Sequence, residues 1–279
     1  MDVKELPSDH KAKHEQLGSR GKATIQGIME SNDQSEPAEV KAQIQASRLS
    51  AETKQALSAR GLDDPDAILA DNKGRLSEQY AQLVLKQEGL PMTGGENERL
   101  QDVVTGTYDG VHGFDLIGVA PDGRPILIEV KKRMGTKDSV GKSDVSLDTM
   151  EPETLALKED ILRERAVNPA LRAKAEQLMP DEPDPELSTE QMAGLWTRDR
   201  WLKLVKNEDH RNRLLEAGVA PEYLNLDNLE HAYSPQWRAI LDGRTTVVVS
   251  DDRDGVTNTL MREAAFKRGF NVARINLKA

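Results

Sequence analysis

Periodic and alternating hydrophobic positions divide the chain into helical and extended segments. GRLSEQYAQLVLKQEGLP (74–91) has apolar residues at helical spacing and ends in Gly and Pro, which predicts one amphipathic helix. FDLIGVA (114–120) and PILIEV (125–130) are short apolar runs joined by PDGR, a sequence typical of turns. These runs predict a β-hairpin. Because the second run is apolar on both faces, we expect it to be covered on both sides.

Further helices and strands are expected after the hairpin. Helical spacing recurs in TLALKEDILRERAV (154–167), ALRAKAEQLM (170–179) and STEQMAGLWTRDRWLKLVKN (188–207). The last of these begins with a capping-box pattern from Ser188 to Gln191, which predicts a helix start there. A β-α-β unit is expected from TTVVVS (245–250), NTLMREAAFKRGF (258–270) and NVARINLK (271–278). The pattern as a whole predicts an α/β domain.

The first 70 residues differ from the rest in being rich in Ser, Gln, Ala and charge and nearly free of aromatics. Residues 35–61 predict two short helices, with Ser35 and Ser50 as N-caps and Gly61 as a stop. We interpret residues 1–70 as a helical arm or linker, with a loosely ordered spacer as the alternative. Residues 71–279 then form the main domain.

Composition narrows the choice of chemistry. The 279 residues contain no cysteine, which excludes disulfides, zinc–thiolate sites and thiol catalysis. The net charge of −10 counts against a general nucleic-acid binder, so any such role must rest on a local basic patch. No apolar run approaches the roughly 20 residues of a membrane helix, and the N-terminus lacks a signal-peptide core. We therefore expect a soluble protein with no membrane partner.

Three charged residues lie at one end of the predicted hairpin. Strand periodicity puts Glu129 and Lys131 on the same side, and Asp115 lies on the partner strand, so the three side chains converge. Two converging carboxylates repel each other unless a proton or cation lies between them. Oxygen ligands without Cys or His suit Mg²⁺ or Mn²⁺, and an ammonium group beside the metal suits metal-assisted phosphodiester hydrolysis. The alternative is a surface salt bridge at a sheet edge, but the apolar neighbours argue against it.

Asp115 followed by Glu129-Val130-Lys131 across a hairpin resembles the PD-(D/E)xK nuclease superfamily. This resemblance implies the restriction-endonuclease-like α/β fold, a mixed β-sheet flanked by helices, here with a helical N-terminal arm. It also implies that Asp115 and Glu129 are metal ligands and that Lys131 positions the attacking water. A helix before the hairpin often supplies a further acid, and Glu78 matches that position as a ligand or metal-water contact. A solvated helix face is the alternative for Glu78. Phe114 stands where the family pattern has Pro.

Within this superfamily the chain resembles the nuclease toxins of bacterial polymorphic toxin systems. In those proteins GFD, a hairpin and EVK precede a segment with Gln-Met and Trp, and QMAGLWTRDRW (191–201) is similar to it. The resemblance implies a Mg²⁺-dependent endonuclease that acts as an antibacterial toxin, on DNA in preference to RNA, with a cognate immunity protein as partner. It implies residence in the bacterial cytoplasm of the producer and delivery into a target cell. A housekeeping repair or recombination nuclease and a non-catalytic interaction module with the same fold are the alternatives.

Several basic residues near the motif are candidates for contacts to the nucleic-acid backbone. They are His112, Lys132, Arg133, Lys137 and Lys142. His112 is also a candidate acid near neutral pH. The alternative for the lysines and the arginine is a solvated loop, and for His112 a polar residue at the start of a strand.

Overall fold

The computed structural model describes residues 43–91, 97–106, 113–132, 145–177, 184–251 and 268–278. Its strands are Gln43–Gln45 (β1), Leu90–Pro91 (β2), Asn97–Glu98 (β3), Asp102–Thr105 (β4), Leu116–Val119 (β5), Pro125–Lys132 (β6), Thr245–Ser250 (β7) and Asn271–Asn276 (β8). Six of them form a mixed sheet in the order β1-β8-β7-β6-β5-β4, and β2 pairs with β3 separately. The expected α/β class with a mixed sheet is confirmed.

Eight α-helices surround the sheet in the described residues. They are Ala51–Ser58 (α1), Pro65–Ala70 (α2), Arg75–Glu88 (α3), Pro152–Val167 (α4), Pro169–Glu176 (α5), Gly194–Lys206 (α6), Glu208–Glu216 (α7) and Pro235–Asp242 (α8). Among the described residues, no helix has both the length and the apolar character needed to cross a membrane. The helix predicted at 258–270 lies almost entirely outside the described residues, so the crossover from β7 to β8 is not described.

The predicted hairpin is present and lies in the middle of the sheet. β5 and β6 are antiparallel, with Leu116 opposite Ile128, and β6 then pairs in parallel with β7. The turn closes through a hydrogen bond from the Gly123 amide to the Ala120 carbonyl at 2.9 Å. Gly123 has φ +80°, a conformation that glycine adopts without the steric cost of a side chain. The strand β6 is therefore held by neighbours on both edges.

Two hydrophobic cores cover the two faces of the sheet. On one face, Ile126 and Ile128 of β6 belong to a cluster with Tyr80 and Val84 of α3. On the other face, Leu127 belongs to a cluster whose largest members are the tryptophans of α6 and α8, namely Trp196, Trp201 and Trp237. Alternate residues of β6 thus enter opposite cores, which explains why its sequence is apolar on both faces.

The segment expected to be an arm is in part built into this body. The helix predicted after Ser50 is confirmed as α1, and the Ser50 hydroxyl accepts a hydrogen bond from the Thr53 amide at 3.2 Å. Residues 43–45, expected within the preceding helix, instead form β1, which pairs in parallel with β8 at the sheet edge. Residues 1–42, including the predicted cap Ser35, lie outside the described residues.

Candidate active site

The hairpin brings Asp115 and Glu129 to the same end of the sheet. The register pairs Leu116 with Ile128, and one further step along both strands places Asp115 opposite Glu129. Asp115 Oδ2 accepts a hydrogen bond from the Val130 amide at 2.7 Å. The first carboxylate is therefore bound to the backbone of the strand that carries the second one, as the strand geometry predicts.

Glu129 is the buried carboxylate of this group, with only 3% of its surface exposed. Its Oε1 atom accepts hydrogen bonds from Lys131 Nζ at 2.5 Å and from the Gln191 side-chain amide. Its Oε2 atom is buried and has no hydrogen-bond partner in the part of the chain that the structure describes. A buried carboxylate oxygen without a partner is costly. This atom is therefore where a cation or a water would be expected to bind.

Electrostatic repulsion links the three acids. Burial raises the pKa of Glu129, the nearby Asp115 charge raises this pKa further, and Lys131 opposes both effects. Burial also raises the pKa of Glu78 to about 7. The Asp115 charge again raises this pKa further, and the Lys131 charge lowers it. Since Asp115 acts on both glutamates, the three carboxylates form one electrostatic cluster. Such a cluster is relieved by a bound proton or cation.

Glu78 enters this cluster from the first turn of α3. The helix begins after Gly74, whose φ of +73° lies in the left-handed region. The Glu78 amide donates to the Gly74 carbonyl at 3.0 Å, and a Cβ placed on Gly74 would lie 3.8 Å from Glu78 Oε1. The carboxylate is thus near the start of the helix and is half-buried. Glu78, the predicted further acid, therefore lies close enough to Asp115 and Lys131 for their charges to affect its pKa.

Gln191 contacts the buried acid of the site, a role that the sequence did not predict. The capping-box prediction was wrong, because α6 begins at Gly194 and the Gln191 side chain donates to Glu129. Two arginines bind the main chain of this loop: Arg268 donates to the Gln191 carbonyl at 3.2 Å and Arg244 to the Met192 carbonyl at 2.6 Å. The resemblance to the Gln-Met-Trp segment pointed to this stretch without indicating that its glutamine contacts the buried acid.

Met192 adopts an unusual backbone conformation beside this glutamine. Its φ is +67°, and it is the one non-glycine residue with positive φ in the described part of the chain. Residues other than glycine adopt this region rarely and at an energetic cost. The hydrogen bond from Arg244 and the burial of the Met192 side chain hold the loop in this conformation. Strain of this kind is common at functional sites.

The basic candidates are only partly described. Lys132 donates through Nζ to the Asp71 carbonyl at 2.5 Å, so its ammonium binds the loop that precedes α3. This contact ties the end of β6 to the start of the helix that carries Glu78. His112, Arg133, Lys137 and Lys142 lie outside the described residues, and their role as backbone contacts stays a prediction.

The donor atoms of the site suit a hard cation. Among the described residues, no group of three or more His, Asp or Glu side chains is arranged as a metal site. Mg²⁺, however, is commonly bound by one or two carboxylates, with water and substrate phosphates completing its shell. The buried Glu129 Oε2 and the neighbouring, half-buried Asp115 provide such oxygen donors. The residues present therefore fit Mg²⁺ or Mn²⁺.

No protein-family model, curated protein or solved structure matches this chain.

Proposed function

We propose that this protein is a metal-dependent endonuclease that hydrolyses phosphodiester bonds. The observation that supports it best is the buried Glu129 carboxylate. One of its oxygens binds Lys131 and Gln191, and the other has no hydrogen-bond partner among the described residues. A buried acid held beside a second acid and an ammonium group at the end of a sheet suits phosphoryl chemistry better than structural support, because burial and the Asp115 charge raise the pKa of Glu129.

Asp115 and Glu129 would hold Mg²⁺ or Mn²⁺, with Glu78 as a third ligand or a contact to metal-bound water. When bound, the ion would stabilise negative charge on the phosphate and favour ionisation of the attacking water.

The remaining side chains have roles that follow from their positions. The Lys131 side chain is 21% exposed, and its ammonium contacts the buried acid. From there it can position a water and donate to a phosphate oxygen. Gln191 fixes the orientation of the Glu129 carboxylate through its side-chain amide. Glu78, with a pKa raised to about 7, is able to exchange a proton near neutral pH.

We further propose that the cleavage serves as an antibacterial toxin activity, with DNA as the preferred substrate and an immunity protein as partner. The support is the order of GFD, EVK and the Gln-Met-Trp segment along the chain. Expression in bacteria distinguishes this from a housekeeping repair nuclease. A toxin should arrest growth and Glu129→Gln should restore it, whereas a repair enzyme should be tolerated in both forms.

The enzymatic proposal is tested by incubating the purified chain with supercoiled plasmid and with RNA, in Mg²⁺ and in EDTA. The proposal expects plasmid cleavage with Mg²⁺ only, and its loss in Asp115→Ala and Lys131→Met. Glu216→Gln, at an exposed position on α7, is the control that should cleave like the wild type. Absence of metal-dependent cleavage of either nucleic acid would contradict the proposal.

The net charge of −10 favours a second candidate, a non-catalytic interaction module that binds a basic partner. This candidate predicts that a partner captured from cell extracts is still bound by Lys131→Met. It also predicts no uptake of Mg²⁺.

A further inference from the structure

A second feature of the molecule is a cavity of about 490 Å³ beside α5, α6 and α8. It is lined by Leu171 and Ala175 of α5, Gly194 and Arg198 of α6, and Arg238 and Leu241 of α8. Ligand-binding cavities have volumes of roughly 300–1,000 Å³. None of the candidate catalytic residues lines it. The cavity is therefore a separate place in the molecule with room for a small molecule.

Arg198 is the more deeply buried of the two buried arginines in the cavity wall, with 1% of its surface exposed. Its Nη2 atom donates to the Ala232 carbonyl at 3.1 Å, and its guanidinium lies over the ring of Trp237 at 5.6 Å. Its Nε and Nη1 atoms are buried and have no hydrogen-bond partner among the residues described. Since a buried cation is costly unless it is paired and hydrogen-bonded, these donors call for an acceptor that the described residues do not provide.

Two acids that line the cavity, Asp184 and Glu186, bind other groups. Glu186 Oε2 accepts from Arg165 Nη2 and from the Tyr233 hydroxyl, each at 2.8 Å. Asp184 accepts from both terminal nitrogens of Arg165. Arg165 is thus matched by the two acids, and Arg198 forms no salt bridge with either of them in the described residues. The second guanidinium that is buried in the wall, that of Arg244, donates to main-chain carbonyls alone.

The charge around the cavity is positive on balance. Its cationic lining residues are Arg165, Lys174, Arg198, Arg238 and Arg244. Its acidic lining residues are Asp184, Glu186 and Asp242. Burial lowers the pKa of Arg198 to about 10, and burial together with the Arg198 charge lowers the pKa of Arg244 to about 9. Both guanidinium groups would be stabilised by a negative charge in the cavity.

We propose that this cavity binds a phosphate group, either as the free ion or as a phosphomonoester, through the unpartnered donors of Arg198. Guanidinium groups bind phosphate oxygens through charge-assisted hydrogen bonds. The exposed Lys174 and Arg238 line the same cavity and attract an anion toward it.

The bound anion also affects the loop that carries Gln191. Arg244 lines the cavity and at the same time donates to the Met192 carbonyl. A negative charge in the cavity stabilises the Arg244 guanidinium in its present position, and through it the strained main chain next to Gln191. The phosphate group therefore acts as a structural ligand, and its binding does not depend on the proposed nuclease activity.

The test is calorimetric titration of the purified chain with inorganic phosphate and, separately, with phenyl phosphate, in EDTA and at constant ionic strength. We expect saturable binding of one phosphate group per chain and a rise of the melting temperature with ligand concentration. Arg198→Gln should weaken binding at least tenfold. Arg172→Gln, on the exposed side of α5 and outside the cavity lining, removes the same charge and should leave the affinity unchanged. Tighter binding of phenyl phosphate would identify a phosphomonoester as the ligand, and equal binding the free ion.

A second variant leaves Arg198 in place. Ala175→Glu introduces a carboxylate at a position that lines the cavity, and it should compete with phosphate and weaken binding at least tenfold. This variant decides the question if Arg198→Gln does not fold. The proposal is overturned if neither phosphate compound binds the wild type saturably. It is equally overturned if the folded Arg198→Gln or Ala175→Glu protein binds phosphate as tightly as the wild type.

Discussion

Replacing Glu129 with glutamine should flatten the dependence of stability on pH in the metal-free protein. Burial and the Asp115 charge raise the pKa of Glu129 above its ordinary value of 4.5. Between that value and the raised one, the folded protein holds a proton that the unfolded chain has released. The contribution of Glu129 to the free energy of unfolding is then largest at low pH and falls as the pH rises through this window.

The magnitude follows from proton linkage. One proton held by the folded state alone gives a slope of at most ~1.4 kcal/mol per pH unit. Between about pH 5.5 and about pH 7.5, the wild type should therefore lose up to about 2–3 kcal/mol more stability than Glu129→Gln. The variant keeps the size of the side chain and has no charge to bury, so the contribution of this group to the slope disappears.

Urea unfolding in EDTA, followed by tryptophan fluorescence, measures this difference. Trp196, Trp201 and Trp237 are all buried and report on the core next to the site. Glu216→Gln is the matched control, since its side chain is exposed on α7, and it should keep the wild-type slope. If the stabilities of the wild type and Glu129→Gln run parallel over this pH range, the raised pKa of the buried acid is refuted.

Three further predictions concern single side chains. Glu88 accepts a hydrogen bond from the Thr53 hydroxyl at 2.5 Å, and its pKa is lowered despite the opposing effect of burial. Glu88→Gln should therefore destabilise the fold by about 1 kcal/mol above about pH 5, and by less in acid, as measured by urea unfolding. Gly194→Ala should destabilise the fold by at least about 2 kcal/mol, because the new Cβ would lie 2.4 Å from the Glu186 carbonyl oxygen; an unchanged melting temperature would contradict this contact. Gln191→Ala should leave the fold intact and lower the rate of plasmid cleavage by about 10–100-fold, because the buried glutamate loses the amide that orients it. An unchanged rate would show that Gln191 does not orient Glu129 for catalysis.

The hairpin and the convergence of its charges could be predicted because both depend on neighbouring strands. The two-sided apolar run of β6 and the turn at Gly123 determine the register, and the register alone brings Asp115 opposite Glu129. The helix α3 could be predicted for a similar reason, since its periodicity and its Gly-Pro ending are local signals.

The features that the sequence did not reveal depend on distant contacts. β1 is three residues long, and it is a strand only because β8, near the other end of the chain, pairs with it. The capping pattern at Ser188 is overridden because Arg244 and Arg268 bind the main chain of the loop and direct Gln191 toward Glu129. Neither of these could be read from local propensity.

Titration of the purified chain with Mn²⁺ shows whether Glu129 and Asp115 hold a cation, because Glu129 Oε2 is a buried oxygen with no hydrogen-bond partner in the described residues. We expect saturable Mn²⁺ binding by the wild type in a calorimeter and at least tenfold weaker binding by Glu129→Gln. The Glu216→Gln control should bind like the wild type. Absence of Mn²⁺ binding, or equal affinity in Glu129→Gln, would contradict the assignment of this carboxylate pair as a cation site.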